Sequence, residues 1–143
     1  MDSKSTTHKF IAVLNKKVPV GNVMNALGHM TAGLVASYPN VVEMCFDDYV
    51  DADGGVHPSL SDNPFIVLQA DNSNQVRNLR QALVEQGIHF TDFTSTMVEG
   101  TYVEQRERTK QTPEAELEYY GIVTFGEIDK LAGLTRKFSL WRG

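Results

Sequence analysis

The apolar residues of this chain fall into short continuous runs, and a helical period separates the first of them from the next. Residues 10–14 (Phe-Ile-Ala-Val-Leu) and 65–70 (Phe-Ile-Val-Leu-Gln-Ala) are runs of the kind found in strands buried on both faces. Residues 19–38 predict a long helix. Pro19 suits its first turn, and Pro39 disfavours helical geometry in the residue before it. At about 100° per residue, Val23, Leu27, Met30, Leu34 and Tyr38 make one apolar stripe. Asn22, Asn25, His29 and Gly33 fall on the other side, near Gly28, Ala32 and Ala36. A glycine inside a helix costs about 1 kcal/mol relative to alanine, so Gly28 and Gly33 are expected to serve close packing.

Residues 41–46 predict the second strand, followed by an acidic segment in which Asp53-Gly54 signals a hairpin turn with solvated carboxylates. Asp51-Ala52-Asp53-Gly54 resembles the start of a calcium loop but lacks its further spacing and its distal glutamate. Residues 57–63 read as loop. After the strand at 65–70, Asp71-Asn72-Ser73 offers caps for a helix whose buried face is Val76, Leu79 and Leu83, stopped by Gly87. A strand over 88–93 follows, and this strand–helix–strand unit predicts a parallel pair. Residues 104–110 read as a solvated helical face or an exposed loop, and Thr112-Pro113-Glu114 as a helix start. A central strand over 120–125, a short helix over 127–131 and a terminal strand over 137–141 complete the chain.

The expected architecture is a three-layer α/β sandwich, a mixed sheet of about four to five strands with helices on both faces. Residues 1–7 read as a frayed polar tail and 8–143 as a single domain. The composition, 41% hydrophobic and 22% charged, is that of a folded globular chain. A formal net charge of −5 argues against a dedicated nucleic-acid binder. No apolar run approaches the ~20 residues of a membrane span, and no secretory signal opens the chain. Cytoplasm is therefore the expected compartment and a membrane is not an expected partner. The single cysteine, Cys45, is expected to be a reduced, buried small hydrophobe.

Phosphate-binding loops, dinucleotide fingerprints and paired zinc-ligand spacings are absent from the sequence, so neither a cofactor nor a metal is expected. What remains is His29, off the core stripe, and Asp92, near a strand end where α/β sheets form ligand crevices. A histidine oriented by a carboxylate can act as a general base on water. Thr94-Ser95-Thr96 adds hydroxyls nearby in sequence, without a nucleophile elbow around Ser95.

The order of elements, with an internal histidine in the first long helix and Asp92-x-x-x-Thr96 after a strand, resembles the type-two peptidyl-tRNA hydrolase family. The segments 10–29, 48–68 and 120–141 are more similar still to small uncharacterised proteins assigned to that fold. The resemblance implies that Gly21, His29, Asp92 and Thr96 match family positions and that the protein is a homodimer. It also implies that the family's functional lysine is replaced by Asn22 and its glutamine by Ala26. A lysine offers a full charge to phosphate or to a developing oxyanion; Asn22 offers only a dipole and two N–H donors. Lys16 or Lys17 in the preceding loop is the available substitute.

These features predict a protein without ordinary peptidyl-tRNA hydrolysis that binds a small ligand or peptide beside His29, Asp92 and Thr96, with Gly21, Asn22, Asn25 and Lys17 contributing. An active hydrolase in which His29 and Asp92 activate water is the alternative, with tRNA disfavoured as its partner by the acidic charge and the missing lysine. A protein-interaction module using the acidic segment 47–53 is the third reading.

Overall fold

The computed structural model describes residues 7–143, so most of the expected N-terminal tail lies outside the described residues. The chain forms β1 (His8–Asn15), α1 (Val20–Ser37), β2 (Phe46–Val50), β3 (Val56–Ser61), β4 (Phe65–Ala70), α2 (Ser73–Gln86), β5 (Phe90–Thr94), α3 (Tyr102–Gln111), β6 (Tyr119–Glu127), α4 (Ile128–Thr135) and β7 (Ser139–Leu140). Five strands make one mixed sheet in the order β5-β6-β1-β4-β7, and β2 and β3 form a separate hairpin. β1 runs parallel to β4 and antiparallel to β6.

Alternation along β1 builds the two halves of the core. Phe10, Ala12 and Leu14 face α1 and pack with its Val23, Ala26, Met30 and Leu34. Ile11 and Val13 face the other way, onto Val76, Leu79 and Leu83 of α2 and Leu131 of α4. Helices thus cover both faces of a mixed α/β sheet. Leu27 and Tyr38, expected on the buried stripe of α1, are only partly buried, and Ala26 takes the interior position between Val23 and Met30.

Several local expectations are corrected. Residues 41–46 do not form a strand: Val41–Met44 is a 3-10 turn, and Cys45 sits at φ 52° in the left-handed region, half-buried rather than enclosed. Side chains hold this turn by its carbonyls: Asn63 Nδ2 donates to Glu43 O at 2.9 Å and Ser61 donates to Met44 O, while Met44 plugs the core. Residues 57–63, read as loop, supply most of β3, whose Pro58 is accommodated because the hairpin strands have free edges. The strands β4 and β5 share a direction but are not neighbours, since β1 and β6 lie between them. The helix expected from 112–114 is a single 3-10 turn, Glu114–Glu116. Arg77 donates to the carbonyls of Glu114 and Leu117, and Tyr119 Oη donates to Glu114 at 2.8 Å, so the segment is pinned to α2 and β6 before a second turn forms.

Candidate ligand-binding crevice

The flank of α1 that carries Asn25, His29, Gly33 and Ser37 runs along the edge strand β5. Ser37 Oγ meets His89 Nε2 at 2.9 Å, and Thr91 Oγ1 donates to Met30 O at 2.7 Å. A Cβ on Gly33 would sit 3.7 Å from Thr91 Cγ2, and the His29 and Phe93 rings lie 5.9 Å apart. The 3.7 Å distance is ordinary van der Waals contact, so the approach of β5 does not require glycine at 33. Nor does packing require it at 28, where a Cβ would meet nothing within 4 Å.

Beyond His29 the chain turns off β5 through Ser95–Met97 and returns as α3. Thr101 begins that helix with a capping box: its side chain accepts from Glu104 N at 3.2 Å, and Glu104 accepts from Thr101 N at 2.9 Å. These bonds hold the Glu104 carboxyl below its ordinary range, the backbone N–H of Thr101 contributing most. Tyr102, Gln105, Arg106, Thr109 and Lys110 follow at helical spacing and line one wall of a crevice. Asn25 and His29 form the opposite wall, with Phe93, Met97 and Val98 completing an open space of about 630 Å³.

Two properties define its chemistry. Its floor is apolar, because Phe93 is buried and Met97 packs against the core. Its polar rim is cationic: no aspartate or glutamate lines it, and neither Arg106 nor Lys110 has an acidic partner among the described residues. Arg106 instead lies over the exposed Tyr102 ring, 5.2 Å from its centroid. In a chain of net charge −5 this is a local reversal of sign, and it favours an anion.

The expected site residues are only partly brought together. Asn25 and His29 share the crevice. Asp92 does not reach it: strand alternation turns Thr91 and Phe93 toward α1 and Asp92 toward α2, where its Oδ2 accepts from Arg80 Nε at 2.8 Å. Asp92 therefore cannot orient His29. Thr96 is buried and joins Thr94 and Thr109 through hydroxyl contacts of 2.6 and 2.7 Å, which ties the turn after β5 to α3. Asn22 lines a neighbouring hollow of about 400 Å³ with Ser95, Arg108 and Tyr120, adjoining the crevice at Val98. Gly21 is exposed on the first turn of α1 with open space around it. Lys17 is exposed in the preceding loop, where its backbone N–H donates to the buried Asn15 at 3.0 Å, and it does not line the crevice. Lys16 pairs with Asp71 at 2.9 Å.

The α3 wall escaped the sequence reading, although Thr101-x-x-Glu104 is a capping-box signal and 102, 105, 106, 109 and 110 share one helical face. The acidic segment is largely occupied with its own hairpin. Asp51 accepts from Asp53 N and Gly55 N at 2.9 Å and pairs with His57, and these bonds, the His57 contact foremost, hold its carboxyl below the ordinary range. Among the described residues no group of three or more histidine, cysteine or acidic side chains is placed to hold a metal. No helix among them is long and apolar enough to cross a membrane.

Residues 8–142 match the family described as "Protein of unknown function (DUF2000)". Among curated proteins none matches the chain. A solved structure of a protein of unknown function, Atu0240 from Agrobacterium tumefaciens strain C58, superposes with a TM-score of 0.81 at 20% identity. It covers 95% of this chain and 98% of its own, a likeness of fold. The likeness to small uncharacterised relatives thus holds at family level, while neither description names a peptidyl-tRNA hydrolase.

Proposed function

The chain belongs to the DUF2000 family of proteins of unknown function, and on that footing we propose that it binds a small organic anion with an apolar body in the α1–α3 crevice. The observation that carries this reading is the pairing of an acid-free rim, bearing Arg106 and Lys110, with a floor of Phe93 and Met97. In it the anionic group meets Arg106 and Lys110, the apolar part lies over Phe93 and Met97, and His29 and Asn25 supply hydrogen bonds from the facing helix. A short peptide presenting its C-terminal carboxylate satisfies the same chemistry. Asp92 has no part in recognition.

Hydrolysis by a His29–Asp92 pair is not carried forward, because the carboxylate is held on the opposite face of β5. Without that partner, and with Asn22 where a cation is needed, ordinary peptidyl-tRNA turnover has no support.

Thermal-shift screening of small aryl and alkyl carboxylates, organic phosphates and short peptides tests the proposal. Stabilisation is expected for anions with an apolar part and is expected to vanish in the Arg106→Ala, Lys110→Ala double variant. A hit whose stabilisation survives that double variant would place binding elsewhere and sink this reading.

A further inference from the structure

The hollow beside the crevice, lined by Asn22, Ser95, Val98, Glu99, Arg108 and Tyr120, holds polar groups that the fold leaves unused. Tyr120 is only 9% exposed, and its ring lies 5.8 Å from that of Phe93. Its hydroxyl has no hydrogen-bond partner among the described residues. Every enclosed side-chain polar atom among those residues has a partner, so the Tyr120 hydroxyl is open to the hollow that it lines. A nearly buried phenol with an open hydroxyl is suited to meet a polar group from outside. The Ser95 hydroxyl and the Asn22 side-chain amide are likewise without partners among the described residues.

Arg108 supplies the charge, and backbone carbonyls fix its orientation. Its Nη1 donates to Thr96 O at 3.0 Å and to Glu99 O at 3.1 Å, and its Nη2 donates to Glu99 O at 3.2 Å. A guanidinium has five N–H donors, so Nε–H and one Nη2–H remain. Those two share one edge of the plane, an edge that takes a carboxylate as a bidentate pair. Among the described residues no carboxylate forms an ion pair with Arg108. Asn22 belongs to the first turn of α1, whose positive end has neither a side-chain cap nor an acidic residue to offset it. Glu99 is the one acidic residue of the lining, and it is exposed, where water screens its carboxylate. Beside it a singly charged carboxylate is accommodated more readily than a doubly charged phosphate.

Asn22, Asn25 and His29 share one flank of α1 and span about 10 Å at 1.5 Å per residue. Asn22 lines the hollow, Asn25 and His29 line the crevice, and Val98 borders both. One extended ligand lying along α1 therefore meets the two in succession. Resting on the crevice reading above, we propose that the ligand is a dicarboxylate with an apolar spacer. Its first carboxylate meets Arg106 and Lys110, and its spacer crosses Phe93 and Met97. Its second carboxylate takes the free edge of Arg108, with the hydroxyls of Tyr120 and Ser95 donating to it.

Isothermal titration of the full chain with straight-chain α,ω-dicarboxylates and with monocarboxylates of equal length tests this. The best dicarboxylate is expected to bind roughly tenfold or more tightly than its matched monocarboxylate. Arg108→Gln is expected to abolish that preference and Tyr120→Phe to cut it roughly threefold or more. Neither substitution is expected to change monocarboxylate affinity, which reports that the crevice is intact. Glu99→Gln is expected to strengthen dicarboxylate binding alone. Monocarboxylates that bind while dicarboxylates bind no better, or a preference that survives Arg108→Gln unchanged, would overturn the second carboxylate site and leave the crevice reading standing. Failure of both series to bind would remove the crevice reading and this one together.

Discussion

The Asp92 carboxylate accepts a hydrogen bond from Arg80 Nε at 2.8 Å, on the face of β5 turned away from His29. The pair is half-buried, with 18% of the Asp92 side chain and 34% of the Arg80 side chain exposed, so it sits between a surface bridge and an interior one. Asp92→Asn is expected to cost about 1 kcal/mol, a fall of about 3 °C in Tm for a chain of this size. Anion binding in the crevice is expected to be unchanged, as isothermal titration with the strongest thermal-shift hit would show. A parallel loss of affinity would return Asp92 to the site.

His29 is exposed and its ring pairs with that of Phe93, so its removal tests recognition with little cost to folding. His29→Ala is expected to change stability by no more than about 0.5 kcal/mol in a urea titration while weakening anion binding. Incubation of the unaltered protein with N-acetylaminoacyl-tRNA is expected to release nothing above buffer. Release that depends on His29 would revive the hydrolase alternative.

Two glycines are expected to respond in opposite directions to a methyl group. Gly28 lies in α1 with nothing near its Cβ position, so Gly28→Ala is expected to stabilise by roughly 0.5–1 kcal/mol. Gly121 of β6 has no such room: its Cβ would fall 2.9 Å from Val13 O and from Leu14 Cδ2. Because a backbone oxygen cannot step aside alone, Gly121→Ala is expected to cost about 1–3 kcal/mol. Urea unfolding midpoints distinguish the two signs.

Tyr38 and Tyr119 are pushed up from 10.0 to about 12, in each case by burial first and then by donation to Glu43 and Glu114 respectively. A phenol whose folded pKa lies above its unfolded one stabilises the fold fully below about pH 10. That contribution is lost as pH rises through about 12. Near-ultraviolet phenolate absorbance is therefore expected to show a late component near pH 12, halved in Tyr38→Phe, with unfolding stability falling over the same interval. Complete ionisation of all five tyrosines well below pH 12 would contradict these two bonds.

The parts of the chain governed by burial were legible in the sequence. The runs at 10–14 and 65–70 became β1 and β4, and the 3.6-residue period of Val23, Met30 and Leu34 placed α1 on the sheet. Segments governed by particular side-chain bonds were not legible. Val41 and Val42 carry strong strand propensity, yet Asn63, Ser61 and the buried Met44 hold that segment in a turn. Thr112-Pro113-Glu114 has the chemistry of a helix start, but Arg77 takes the carbonyls that a longer helix would need. At the crevice, His29 is legible as a polar residue off an apolar stripe. The placement of Asp92 is not legible, because the face it presents depends on which helix covers which side of β5. The α3 wall was hidden because its face is polar throughout, leaving only its cap as a signal.

The most direct test of the account is a crystal structure of the protein with the anion that stabilises it most. The anionic group is expected within hydrogen-bonding distance of Arg106 or Lys110, about 3 Å, and the apolar part against Phe93 and Met97. An anion seated in the separate cavity of about 530 Å³ between Tyr38, His89 and Lys130, with the crevice empty, would contradict it.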